Sequence, residues 1–137
     1  MICGKPYEFY CKAAEYIRKR IGFTPEIAIV LGTGCAPFAQ RIENPIEFPY
    51  ADIPNFLVTT NASHAGRMIA GSVGGKQVIC MSGRFHYYEG YSMEELDIPV
   101  HVMHVLGVKT LILTNAAGAV NPDYEPGDAM IIEDHIK

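Results

Sequence analysis

The chain has 137 residues, enough for one ordinary domain with its own apolar core. A content of 49% hydrophobic and 19% charged residues excludes an intrinsically disordered protein. The formal net charge of −4 gives no general reason to bind nucleic acid or an anionic membrane, so an anionic ligand would need a local positive site set against the overall sign.

In residues 6–21, Phe9, Ala13, Tyr16, Ile17 and Ile21 fall near one stripe while Lys12, Glu15, Arg18 and Lys19 lie elsewhere, which predicts an amphipathic packing helix. Pro6 suits its first turn and Gly22 the position just past its end. Residues 27–31 form a continuous apolar run of the kind buried on both faces of an α/β sheet. Gly32-Thr33-Gly34 follows at once. Such a turn can offer backbone N–H groups and a hydroxyl to an anion, and it also reads as an ordinary tight turn. Position 37 is Pro where a dinucleotide fingerprint needs Gly, and no GK[ST] completes a P-loop.

Pro45, Pro49 and Pro54 make residues 44–57 an edge strand and loop. The polar turn 61–67 carries His64, a candidate anion-binding or catalytic group that by itself also reads as a surface histidine. Residues 68–73 and 76–81 flank Gly74-Gly75 and predict a hairpin.

The densest chemistry lies in Ser82-Gly83-Arg84-Phe85-His86-Tyr87-Tyr88-Glu89-Gly90-Tyr91. Extended backbone sends alternate side chains the same way, so Arg84, His86 and Tyr88 share one side. Phe85, Tyr87 and Glu89 take the other unless the chain turns. Arg84 offers a permanently charged fork for phosphate or carboxylate, and His86 a donor near neutral pH. One reading is an oxyanion site beside an aromatic wall; the other is a polar strand end with Arg84 paired to Glu89.

Ser92 followed by Glu95 is a capping-box pattern that starts a helix over 93–106, closed by Gly107 and kinked or delayed by Pro99. His101 and His104 sit one turn apart, but no carboxylate or thiol joins them at metal-binding spacing, which favours packing or surface roles. Residues 110–114 read as another buried strand and run into the small residues Asn115-Ala116-Ala117-Gly118. A last short strand is expected at 129–133. Cys3, Cys11, Cys35 and Cys80 show no CxxC or finger spacing, and with no signal peptide they suggest free thiols in a reducing cytosol. Strands 27–31, 78–81 and 110–114 each end in a loop of small or polar groups, where α/β sheets collect ligands.

Leu31-Gly32-Thr33-Gly34, His64-Ala65-Gly66, Gly83-Arg84-Phe85-His86 with Tyr88-Glu89-Gly90, Thr114-Asn115-Ala116-Ala117-Gly118, and Gly127-Asp128 with Asp134-His135-Ile136 occur in that order. Together they resemble the amino-terminal half of the trimeric purine nucleoside phosphorylases, over nearly the whole chain. The stretch around Arg84 separates it from the related methylthioadenosine phosphorylases, although their glycine loop more often carries a Thr, as at position 33. The resemblance implies one α/β domain portion over 1–137, with a central mixed, partly barrel-like sheet flanked by helices and incomplete at its carboxyl end. It implies reversible phosphorolysis of purine (deoxy)ribonucleosides to free base and pentose 1-phosphate.

By the same resemblance, Thr33, His64, Arg84, His86 and the Ala116 N–H bind phosphate. Tyr88, Asn115, Ala116, Ala117 and Gly118 lie against the nucleoside. His86 and Glu89 are the catalytic assignments, Glu89 orienting the Arg/His pair. No metal or organic cofactor is implied, inorganic phosphate being a co-substrate. The implied setting is a cytoplasmic homotrimer of the full-length protein, with no nucleic-acid or membrane partner. Two positions depart from the pattern: Thr33 stands where Ser is usual, and the chain stops at Lys137, where the family continues into a half that carries the base-recognising residues. The expectation is a truncated phosphorylase. The alternatives are a non-catalytic phosphate- or nucleoside-binding fragment, or half of a methylthioadenosine phosphorylase or nucleoside hydrolase.

Overall fold

A computed structural model describes residues 4–59 and 66–136. The first helix, α1 (Tyr7–Ile21), starts after Pro6 in extended backbone and ends where Gly22 turns left-handed at φ 72°. Its buried row is Tyr10, Ala13, Ala14, Ile17 and Ile21. Phe9 and Tyr16, expected on that row, sit at its rim, where cations cover them: Lys5 Nζ lies 5.6 Å from the Phe9 ring, and the Arg20 guanidinium 3.4 Å from the Tyr16 ring.

Five strands form one mixed sheet: β1 (Ile27–Leu31), β2 (Glu43–Pro49), β3 (Arg67–Val73), β4 (Lys76–Ser82) and β5 (Thr110–Leu113), in the order β2-β3-β4-β1-β5. The β3–β4 hairpin closes through Gly74 and Gly75, at φ 56° and 78°. Two successive positive φ angles are what a two-residue hairpin turn requires, and glycine adopts them without a Cβ penalty. β1 runs parallel to both β4 and β5, so the carboxyl ends of all three lie at one end of the sheet. β3 is antiparallel and begins at that same end, Arg67 facing Ser82.

Side chains alternate between two faces. Ala28, Val30, Met68, Ala70, Ile79 and Met81 pack with α1 and α3 (Ile98–Leu106) in the larger core. Ile29, Leu31, Ile69, Val78 and Cys80 face the other side, toward Phe38 within a 3-10 segment, Ala36–Arg41, and Ile42 just after it. Burial there pushes the Cys80 thiol up to about 12, so at neutral pH it is a small apolar filler and not a nucleophile.

The capping box forms as expected: the Glu95 N–H donates to Ser92 Oγ at 3.2 Å, and the Ser92 N–H donates to Glu95 Oε2 at 2.8 Å. The helix it starts is split into α2 (Met93–Leu96) and α3, because Pro99 sits in the first turn of α3 and the regular ladder restarts there. His101 lies 5.1 Å from the Tyr10 ring and His104 is exposed, and no group of metal-ligating side chains is present among the described residues.

Two expectations are corrected. Residues 110–114 were expected as a buried strand, but β5 pairs with β1 alone among the described residues and exposes Ile112 and Leu113. A strand read as apolar is buried only if it has neighbours on both sides. Residues 129–133 are irregular, with no ladder partner among the described residues. The mixed sheet flanked by helices is as expected; among the described residues it is not closed, and β2 and β5 are its edges. No helix among the described residues is long and apolar enough to cross a membrane.

Candidate active site

Phe85 anchors the central stretch. It is buried among Tyr50, Phe56 and Tyr91, with ring centroids 5.2, 5.8 and 6.0 Å away. The Tyr50 hydroxyl donates to the buried Gly83 carbonyl at 2.7 Å and fixes the backbone just before Arg84. Burial pushes the Tyr50 phenol well above its ordinary value, so it stays a neutral donor.

With Phe85 pointing into the core, Arg84 and His86 point the other way. The Arg84 Nε–H donates to His86 Nε2 at 3.2 Å. Tyr88 stacks on His86 at 4.6 Å and 15°. This is the shared side that alternation predicts. Glu89 was expected on the opposite side unless the chain turned. A 3-10 turn over Tyr87–Glu89 brings it back under His86. Glu89 Oε1 accepts from the His86 backbone N–H at 2.9 Å and lies 3.0 Å from ring Nδ1. The alternative in which Arg84 pairs with Glu89 is replaced by a relay with His86 between them. Since Nε2 accepts from Arg84, the proton sits on Nδ1 and points at Glu89. The Glu89 side chain is 2% exposed and that of His86 17%.

Thr114 joins this relay to the glycine loop. Its carbonyl accepts from Arg84 Nη1 at 3.3 Å, and its hydroxyl accepts from the Gly32 N–H at 2.8 Å while donating to the Val30 carbonyl at 3.0 Å. Gly32 has no room for a side chain, since a Cβ there would lie 2.3 Å from the Thr114 carbonyl oxygen. The contact explains the glycine by close backbone approach, a reason beyond turn geometry. Thr33, one residue on, is exposed at the same end of the sheet.

Asn115, Ala117 and Gly118 line an open cavity of about 610 Å³, shared with residues such as Tyr124, Pro126 and Met130. Asn115 Nδ2 donates to the Ala116 carbonyl at 3.4 Å. Thr114, whose carbonyl accepts from Arg84 Nη1, leads directly into this segment, and the cavity is shared with the residues that follow. His64 lies outside the described residues. Two residues escaped the sequence reading. Thr114 appeared only as part of a motif, and Thr59, whose hydroxyl donates to Glu89 Oε2 at 3.1 Å, carried no local signal because its partner is 30 residues away.

The open α/β sheet gathers a guanidinium, an imidazole and a glycine loop at the carboxyl ends of its parallel strands, the place where α/β proteins collect ligands. The family model of the phosphorylase superfamily matches residues 26–137, and the chain belongs to that superfamily. It is 50% identical over 125 residues to purine nucleoside phosphorylase 1 of Geobacillus stearothermophilus, covering 91% of this chain and 46% of the relative. It is 45% identical over 130 residues to the purine nucleoside phosphorylase of Rattus norvegicus, covering 95% of this chain and 45% of that protein. Among solved structures, isoform 2 of the Schistosoma mansoni purine nucleoside phosphorylase, in complex with cytosine and ribose-1-phosphate, matches with a TM-score of 0.82 at 41% identity, over 93% of this chain and 44% of that one. The chain thus spans a little under half the length of these relatives.

Proposed function

We propose that the chain provides the phosphate and pentose side of a purine nucleoside phosphorylase, which converts a purine (deoxy)ribonucleoside and phosphate reversibly to free base and pentose 1-phosphate. The observation that carries the reading is the relay Arg84–His86–Glu89, with His86 between the guanidinium and the carboxylate and Arg84 tied to the strand end that also holds the glycine loop. In this reading Thr33, His64, Arg84, His86 and the Ala116 N–H receive phosphate. Tyr88, stacked on His86 and exposed, meets the pentose, and Asn115 to Gly118 lie beside the sugar and base. The ribose-1-phosphate bound by the similar Schistosoma protein fits it.

Phosphate is the nucleophile, so the protein has only to hold it in line with the anomeric carbon. Positioning of that kind is worth about 7–11 kcal/mol of barrier. The bound anion also stabilises the oxocarbenium-like sugar as the base departs. Neither step calls for a metal or organic cofactor. The full reading includes a homotrimer in a reducing cytoplasm; the free thiols of Cys11, Cys35 and Cys80 fit the latter.

Calorimetric titration of the chain with inorganic phosphate, together with a coupled assay for hypoxanthine release from inosine, tests the proposal. Phosphate binding is expected. Absence of binding rejects the site, and base release that does not need phosphate assigns a hydrolase instead.

A further inference from the structure

We infer that Thr59 is a positioning residue for the Arg84–His86 pair, acting through Glu89; the inference rests on reading that pair as phosphate-binding. Glu89 is a carboxylate withdrawn from water, with 2% of its side chain exposed, and such a group needs its lone pairs filled. Oε1 serves the His86 backbone N–H and ring Nδ1, at 2.9 and 3.0 Å. Oε2 accepts from the Thr59 hydroxyl at 3.1 Å. The last torsion of a glutamate is broad and roughly two-fold, so Oε1 alone does not fix the carboxylate plane. A donor on Oε2 does.

That plane decides the state of the imidazole. With Oε1 aimed at Nδ1, the ring proton stays on Nδ1 and Nε2 accepts from Arg84 Nε at 3.2 Å. A proton on Nε2 would set donor against donor and turn the guanidinium away from its place beside Thr114. The hydroxyl of Thr59 therefore sets which guanidinium donors are presented to an anion, without touching that anion.

The backbone of Thr59 is held for this task. The Val58 N–H donates to the Tyr91 hydroxyl at 3.3 Å, and that hydroxyl donates to the Val58 carbonyl. Tyr91 packs on Phe85, the anchor of the central stretch. The residue before Thr59 is thus braced, through Tyr91, by the aromatic cluster that anchors the central stretch.

The experiment uses the 137-residue chain as wild type, Thr59→Val and Thr59→Ser. Nitrogen-15 NMR of the His86 ring reads the tautomer, and calorimetry with inorganic phosphate reads the affinity. Wild type and Thr59→Ser should hold the proton on Nδ1. Thr59→Val, which keeps the shape and loses the donor, should populate the Nε2–H form and bind phosphate about three- to tenfold more weakly, the worth of one hydrogen bond. Wild-type tautomer and affinity in Thr59→Val overturn the inference. So does an equal loss in Thr59→Ser, which traces the effect to a disturbed loop and not to the hydroxyl. If the wild type binds no phosphate, the proposed function fails, while the tautomer comparison still decides whether Thr59 orders the relay.

Discussion

Arg84 directs Nε to His86 and Nη1 to the Thr114 carbonyl, so among the described residues the Nη2 end of its fork is left to meet an anion. A charged hydrogen bond of that kind contributes about 1.5–3 kcal/mol, and Arg84→Ala should weaken phosphate binding by that amount. Calorimetric titration of the variant is the check; unchanged affinity would remove Arg84 from the site. Gly32 is equally exposed to test. A Cβ there meets the Thr114 carbonyl oxygen at 2.3 Å and carbon at 2.9 Å, both backbone atoms that cannot swing aside. Gly32→Ala should cost about 1–3 kcal/mol of stability, the usual range for overpacking, and the shift would be read as a lower denaturation midpoint. A midpoint equal to wild type would mean that the loop and β5 are not locked together. Arg84, His86 and Tyr88 were legible from the alternation of an extended chain. Glu89 was not, because a 3-10 turn overrode that alternation, and neither Thr59 nor Thr114 is close in sequence to the groups it orders.

Among the elements, the cap of α2 is the one most open to a single substitution. Ser92 Oγ accepts from the Glu95 N–H and donates to Glu95 Oε2 at 2.9 Å. Ser92→Ala should destabilise the fold by about 0.5–2 kcal/mol, seen in chemical denaturation, and should loosen Glu89 and Tyr91, which lead into this helix. An unchanged midpoint would count against the cap. The Ser92 backbone N–H, and after it the hydroxyl, hold the Glu95 carboxyl below its ordinary value of 4.5. A depressed folded value stabilises the protein above the ordinary value, and that contribution fades as pH falls through the folded one, so the gap between wild type and Ser92→Ala should narrow in acid. Element boundaries were readable wherever punctuation was covalent: Gly22, Gly74-Gly75, Pro99 and Gly107 each mark a break that the structure keeps. Exposure was not readable, since the run 110–114 looks like that of 27–31 and differs only in where the sheet places it.

In the molecule as a whole, the two edges of the sheet are unlike. β2 is blunted by prolines and by an irregular register between Glu43 and Ile46, where Asn44 takes φ 50°. β5 presents Leu113 at 68% exposure. The donors grouped at this end of the sheet suit phosphate, whereas a departing purine carries developing negative charge that needs a donor of its own. Loss of one such donor typically costs about 10²–10³ in rate. The 137-residue chain by itself should therefore release hypoxanthine from inosine and phosphate at least about 10²-fold more slowly than a full-length relative. A coupled assay on the purified chain decides it, and turnover near that of the relative would refute the expectation.

The two hydrogen bonds of the Thr114 hydroxyl, accepted from the Gly32 N–H and donated to the Val30 carbonyl, also set a timetable. The β3–β4 hairpin closes through two residues and can form within about 1–10 μs. The Gly32–Thr114 contact spans 82 residues, which at the usual pace of synthesis of about 5–20 residues per second is a delay of roughly 4–16 s. In the last part of that interval, once Ser82 has been made, a nascent chain carries its glycine loop unlatched beside a completed hairpin. The latch at this end of the sheet is thus among the last contacts to form, and a chaperone that acts on the emerging chain before Thr114 appears meets the glycine loop without it.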